Sequence, residues 1–100
     1  MLRSMTRSDL VELLSARFSQ LTPREAGLAV TTILEAMNNA MVRGQRIEVR
    51  GFGSFSVVHL ASRLGRNPRS GEPVDIPQKR VARFKPGKAL RVAVDQRSPL

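Results

Sequence analysis

The sequence predicts an α+β domain: an N-terminal helical hairpin, a three-stranded antiparallel sheet with a long two-stranded β-ribbon arm, and a short C-terminal helix. Three observations predict it. Apolar residues recur at helical spacing through the first half, then switch to strict alternation near residue 46. Residues 62–75 (SRLGRNPRSGEPVD) are dense in turn formers and hold only two large aliphatic residues, Leu64 and Val74, too few to form a core. Charge is also lopsided. Residues 1–44 carry five arginines against four acids, a net of +1, whereas residues 45–100 carry nine arginines and three lysines against four acids, a net of +8.

Each element has its own signal. Thr6-Arg7-Ser8-Asp9 offers a capping hydroxyl and an early acid, and Leu10, Leu13, Leu14 and Phe18 then share one face, which predicts a helix over about 6–18. Thr22-Pro23-Arg24-Glu25 is a capping box with proline at the first helical position. From there Ala26, Val30, Ile33, Met37 and Met41 form one stripe, with Leu34 and Ala40 beside it, and Gly44 stops a second helix over about 23–43. Arg46-Ile47-Glu48-Val49-Arg50 alternates, so Ile47 and Val49 turn to a core while Arg46, Glu48 and Arg50 share the other face. Gly51-Phe52-Gly53 breaks the strand, residues 54–61 resume it, and an extended stretch from Val74 to Phe84 returns. Lys85-Pro86-Gly87-Lys88 opens the last helix, Ala89 to about Asp95, and residues 97–100 read as a frayed tail. The whole is expected to be one domain, 1–100: a helical part at about 6–44, sheet and arm at about 45–84 with the arm at about 58–80, and a C-terminal helix at about 86–96. Translation starts at Met1 or Met5; the first four residues look appended, because the cap begins at Thr6.

Composition removes several functions. No cysteine and one histidine, His59, leave no thiol nucleophile, disulfide or His/Cys metal site. No carboxylate pair, nucleophile–base set or phosphate-binding glycine loop is present, so no catalytic residue, metal or cofactor is expected. No apolar run is long enough to span a bilayer, and the N-terminus is too short and polar for a signal peptide, so a soluble cytoplasmic protein is expected.

The basic half points to a polyanion, against the plainer reading of a solvated basic surface. A ribbon with Arg63, Arg66 and Arg69 on one side and Lys79, Arg80 and Arg83 on the other suits a DNA groove, and the minor groove offers acceptors that Arg and Asn reach. Pro68 reads two ways. Asn-Pro starts turns, and a rigid apolar proline is also a wedge that unstacks base steps.

The motifs GFGSF (51–55), GRNPRSG (65–71) and RFKPGKAL (83–90), in that order, resemble the HU/integration host factor family of bacterial DNA-bending proteins over roughly residues 5–95. That family is the usual example of β-ribbon and minor-groove binding, so the groove assignment gains support from the resemblance. The resemblance implies an intertwined dimer whose two arms embrace double-stranded DNA, bend it sharply, and serve nucleoid organisation, recombination, replication and transcription. It makes Pro68 the intercalating tip, with Arg66, Asn67 and Arg69 lining the groove. It makes Arg50 the arginine of a preferred sequence, held by Glu48 and Arg46, and makes Lys85 and Lys88 phosphate contacts. Phe52, Phe55 and Phe84, with Val30, Ile33 and Met37, resemble the dimer core. The charged stretch 46–50 is similar to the β-subunit branch of integration host factor, which implies an α subunit as partner; the alternative is an HU-like homodimer with little sequence preference. The chain departs from the family at Leu60, where a basic residue is usual, at Ala82, often proline, and at Leu64, in place of a small polar residue.

Overall fold

Capping chemistry starts both N-terminal helices. Thr6 caps α1 (Arg7–Arg17): its hydroxyl accepts the Asp9 N–H at 3.3 Å, and the Asp9 carboxylate accepts the Thr6 N–H at 2.8 Å. Thr22 and Glu25 repeat the box at the head of α2 (Pro23–Val42), at 3.1 and 2.8 Å. The last turn of α1 closes on Phe18, whose N–H donates to the Leu14 carbonyl at 2.9 Å.

The computed structural model of the chain describes residues 3–96. The expected frayed tail, 97–100, therefore lies outside the described residues. The chain divides into two compact units, Met1–Asn39 and Ala40–Leu100.

In the first unit, the Arg7 guanidinium joins the two helices by donating to the Thr31 hydroxyl and, at 3.4 Å, to the Gly27 carbonyl. Upstream of the cap, the Arg3 guanidinium grips both Asp9 oxygens, at 2.8 and 2.9 Å. That pairing, together with the Thr6 N–H, lowers the Asp9 carboxyl from its ordinary 3.8 to about 2. Among the described residues only Ala26 and Val30 are buried apolar groups. Met37 and Met41 are half-buried, and Ile33, assigned to the same stripe, is 59% exposed. The helices thus form as predicted while much of their apolar face stays uncovered; Leu10, Leu13, Leu14, Val30, Ile33 and Leu34 line an open apolar cleft.

The second unit begins with the last turn of α2 and its stop. Gly44 takes φ +81°, its N–H donates to Met41 and the Gln45 N–H to Ala40, both at 2.9 Å, the paired bonds of a Schellman motif. There follow β1 (Ile47–Val49), β2 (Gly53–Leu60), β3 (Arg63–Arg66), β4 (Pro73–Ile76), β5 (Lys79–Pro86) and α3 (Lys88–Gln96). β1, β2 and β5 make an antiparallel sheet in the order β1-β2-β5, and β3 pairs only with β4. The extended stretch expected from Val74 to Phe84 is two strands. The β2–β5 ladder ends at Leu60↔Lys79 and the β3–β4 ladder starts at Arg63↔Ile76, leaving 61–62 and 77–78 unpaired on both sides. Pro77 explains part of the interruption, since it has no N–H to give a ladder. Gly53 explains the tight junction of β2 with β5: a Cβ there would stand 2.6 Å from the Lys85 carbonyl oxygen and 2.7 Å from the Phe84 ring.

Candidate nucleic-acid interface

The arm tip is built by short-range hydrogen bonds around Pro68. The Asn67 side-chain oxygen accepts the Arg69 N–H at 2.8 Å, spanning the proline. The Gly71 N–H donates to the Asn67 carbonyl at 2.7 Å, and the Asn67 N–H to the Glu72 carbonyl at 2.8 Å. Arg66 folds along the tip, its Nη1 donating to the Gly71 carbonyl at 2.9 Å. Pro68, Arg66, Asn67 and Arg69 are all exposed, with the proline at the apex of a turn that other residues hold. Asn67, expected only as a groove contact, thus also shapes the turn.

Below the tip, the register Arg63↔Ile76, Leu64↔Asp75, Gly65↔Val74 and Arg66↔Pro73 gives the arm two faces. Leu64, Arg66, Pro73 and Asp75 share one; Arg63, Gly65, Val74 and Ile76 share the other. A Cβ on Gly65 would come 2.5 Å from Ile76 Cδ1, so the isoleucine lies across the glycine. Gly65 and Ile76 are the half-buried residues of the arm, a contact that reading the chain in one dimension missed. Its signal was available: a glycine opposite β-branched residues in an otherwise coreless ribbon.

At the sheet, the β2–β5 register sorts side chains by chemistry. Phe55↔Phe84, Val57↔Ala82 and His59↔Arg80 lie on one face; Ser54↔Lys85, Ser56↔Arg83, Val58↔Val81 and Leu60↔Lys79 lie on the other. Through Ile47↔Phe55 and Glu48↔Ser54, β1 adds Ile47 to the apolar face and Glu48 to the basic one. Phe84 is the hub of the apolar face, with ring centroids 5.4 Å from Phe52 and 4.7 Å from Phe55. The three phenylalanines assigned together by resemblance are therefore together in space, with Phe52 and Phe84 still substantially exposed.

On the basic face Arg46 Nε pairs with Glu48 Oε1 at 3.1 Å, and Arg46 Nη2 donates to the Ser54 hydroxyl at 3.4 Å. Both charged groups are largely solvated, so the pair orients more than it stabilises. Arg50 is not a strand residue, as alternation implied; it stands in the β1–β2 turn, closed by the Phe52 N–H on the Val49 carbonyl at 2.9 Å. The turn still delivers it to the same place. Arg46, Glu48, Arg50, Ser54, Lys85, Lys88 and Arg91 line one groove of about 640 Å³. Arg91 was missed, though its place three residues after Lys88 puts it on the same face of α3. Five cations against one carboxylate, beside the N-terminal end of a helix, make a surface for phosphates. Among the described residues no cluster of three or more His, Cys, Asp or Glu side chains could hold a metal, and no helix is long and apolar enough to cross a membrane.

A family model for the bacterial DNA-binding proteins matches residues 5–95. The chain belongs to this family. Among its relatives, the integration host factor subunit beta of Paraburkholderia phytofirmans is 55% identical over 94% of this chain and 88% of its own length. That of Ralstonia nicotianae is 58% identical over 92% of this chain and 67% of its own. Solved structures agree: an Anabaena HU cocrystallised with DNA has a TM-score of 0.78 at 32% identity, covering 96% of this chain and all of that one. HU from Thermotoga maritima has a TM-score of 0.61 at 27% identity over 90% of this chain and 98% of its own. For a bacterial DNA-binding protein, an arm with an exposed proline tip and a basic groove near a helix start are the features to explain.

Proposed function

We propose that this chain is one subunit of a dimeric architectural protein that binds double-stranded DNA in the minor groove and bends it. The observation that carries the reading is Pro68 held exposed at the arm apex between Arg66 and Arg69, its turn closed by the Asn67 side chain. A proline so placed has no N–H to strand on leaving water and little side-chain entropy to lose, which suits insertion between base steps. Arg63, Arg66, Asn67 and Arg69 follow the groove walls. Lys79, Arg83, Lys85 and Lys88 meet phosphates on the flanking duplex, and Arg50, oriented beside the Arg46–Glu48 pair, reads a preferred sequence. Smooth bending of a site costs about 1–6 kcal/mol, offset by phosphate contacts that only the bent duplex allows. The uncovered faces of α1 and α2 and of Phe52, Phe55 and Phe84 belong to the subunit interface. The relatives named as beta subunits support an α subunit as the partner and a nucleoid-associated role in recombination, replication and transcription rather than an enzymatic one.

Three measurements test this. Neutralising roughly six to ten phosphates per dimer gives a log Kobs–log salt slope steeper than about −5; a slope near −2 refutes wrapping. Affinity for a fixed site against random duplex, with and without the α subunit, then separates a sequence-preferring heterodimer from an HU-like homodimer. Displacement by RNA or an acidic peptide more readily than by duplex DNA would refute the DNA reading itself.

A further inference from the structure

Of the cations that flank the arm and groove, one stands apart. Lys79, Arg83 and Lys85 alternate along β5 and share the basic face with Glu48 and Ser54. Arg80 is out of phase: its strand partner is His59, and it shares the opposite face with Ala82 and Phe84.

On that face the guanidinium has a specific acceptor. The Schellman bonds at the end of α2 satisfy the carbonyls of Ala40 and Met41, and the Val42 carbonyl accepts Arg80 Nη2 at 3.2 Å. The last turn of α2 has no basic residue of its own. Arg43, just past it, places its Nη2 on the Gln45 side-chain oxygen at 2.9 Å. Arg80 thus supplies from another element the cation that the negative end of a helix favours. A Cβ added to Gly44 would stand 3.8 Å from Arg80 Nη2, so the guanidinium lies beside the residue that ends the helix. Along the chain, Arg80 is the second residue of β5, directly after the unpaired 77–78 where the sheet gives way to the arm.

We propose that Arg80 is a positioning residue: it latches the start of β5 onto the last turn of α2, and so sets the root of the arm, instead of contacting DNA. This departs from the charge pattern in the sequence, which groups Arg80 with Lys79 and Arg83. It rests on the proposed function only for its bending and salt-slope readouts.

The test compares Arg80→Gln and Arg80→Lys with Arg83→Gln, each in the full-length dimer at one protein concentration. Arg80→Gln is expected to lower Tm by about 2–6 °C. It should also speed amide exchange at the Leu60↔Lys79 end of the ladder and reduce the bend of bound DNA, measured by end-to-end energy transfer at saturation. Its salt slope stays at the wild-type value, and Arg80→Lys restores Tm and bend. Arg83→Gln behaves oppositely, losing about 0.9 of slope with Tm unchanged. A slope lowered by about 0.9 in Arg80→Gln, or an unchanged Tm, overturns the proposal. If the wild-type protein does not bend DNA, the proposed function fails, while Tm and amide exchange still decide the latch.

Discussion

The α1–α2 hairpin and the β3–β4 arm leave different things uncovered. The hairpin has two complete capping boxes and a charge near zero, yet Leu13, Leu28 and Ile33 are 57, 66 and 59% exposed. The arm has no buried residue; its order comes from turn hydrogen bonds at the tip and Ile76 lying across Gly65, and its surface carries Arg63, Arg66 and Arg69. One region is locally well specified and short of apolar surroundings. The other is short of counter-charge. The difference teaches that the two regions complete themselves on different partners, the first on a second protein chain and the second on a polyanion.

The comparison can be broken most sharply at Ile33. If its exposure were that of an ordinary surface residue, Ile33→Asp would change stability by no more than about 0.5 kcal/mol. As an interface residue, the substitution buries an unpaired charge and costs about 3–5 kcal/mol, so sedimentation should show monomer or unfolded chain. An intact dimer with unchanged Tm would remove the hairpin side of the comparison.

At the arm, Pro68→Ala probes the other side. The bend angle of bound DNA should fall clearly while affinity changes by less than about tenfold, and Tm should stay within about 1 °C of wild type because the tip packs on nothing. An unchanged bend angle would leave Pro68 as a turn former only.

A smaller effect is expected for Asn67→Ala, which removes the 2.8 Å bond across the proline. Such a bond contributes about 0.5–1.5 kcal/mol, here confined to the tip, so amide exchange at Arg69 and Gly71 should accelerate several-fold with global Tm unchanged. Loss of global stability would show that the arm is not energetically separate.

The smallest effect belongs to the helix caps. Asp9 is held at about 2 by Arg3 and the Thr6 N–H, below its ordinary 3.8. A lowered folded-state pKa means that the stabilisation is complete above about pH 4 and is lost as pH falls through about 2. Asp9→Asn should therefore lower Tm at neutral pH, and the gap to wild type should close between pH 4 and 2. A constant gap would mean that the carboxylate's charge contributes nothing.

Much of this architecture was legible in one dimension because its causes are local. Capping boxes at Thr6 and Thr22, the glycine stop at Gly44 and the alternation after Arg46 each act over three to five residues, and the strands and helices stand close to where those signals put them. The turn at 67–71 and its exposed proline were equally local. What escaped was set by register. Whether 74–84 is one strand or two, which face Arg80 takes, that Arg50 reaches the groove from a turn, and that Arg91 joins it all depend on residues distant in sequence being aligned by a ladder or a helix start. A shift of one residue in that alignment would exchange the two faces. Charge and composition determined that the second half of this protein meets a polyanion. Only the tertiary structure decided which cations share a face, because a β-strand sends neighbouring side chains to opposite sides, and only the paired register shows which side is which.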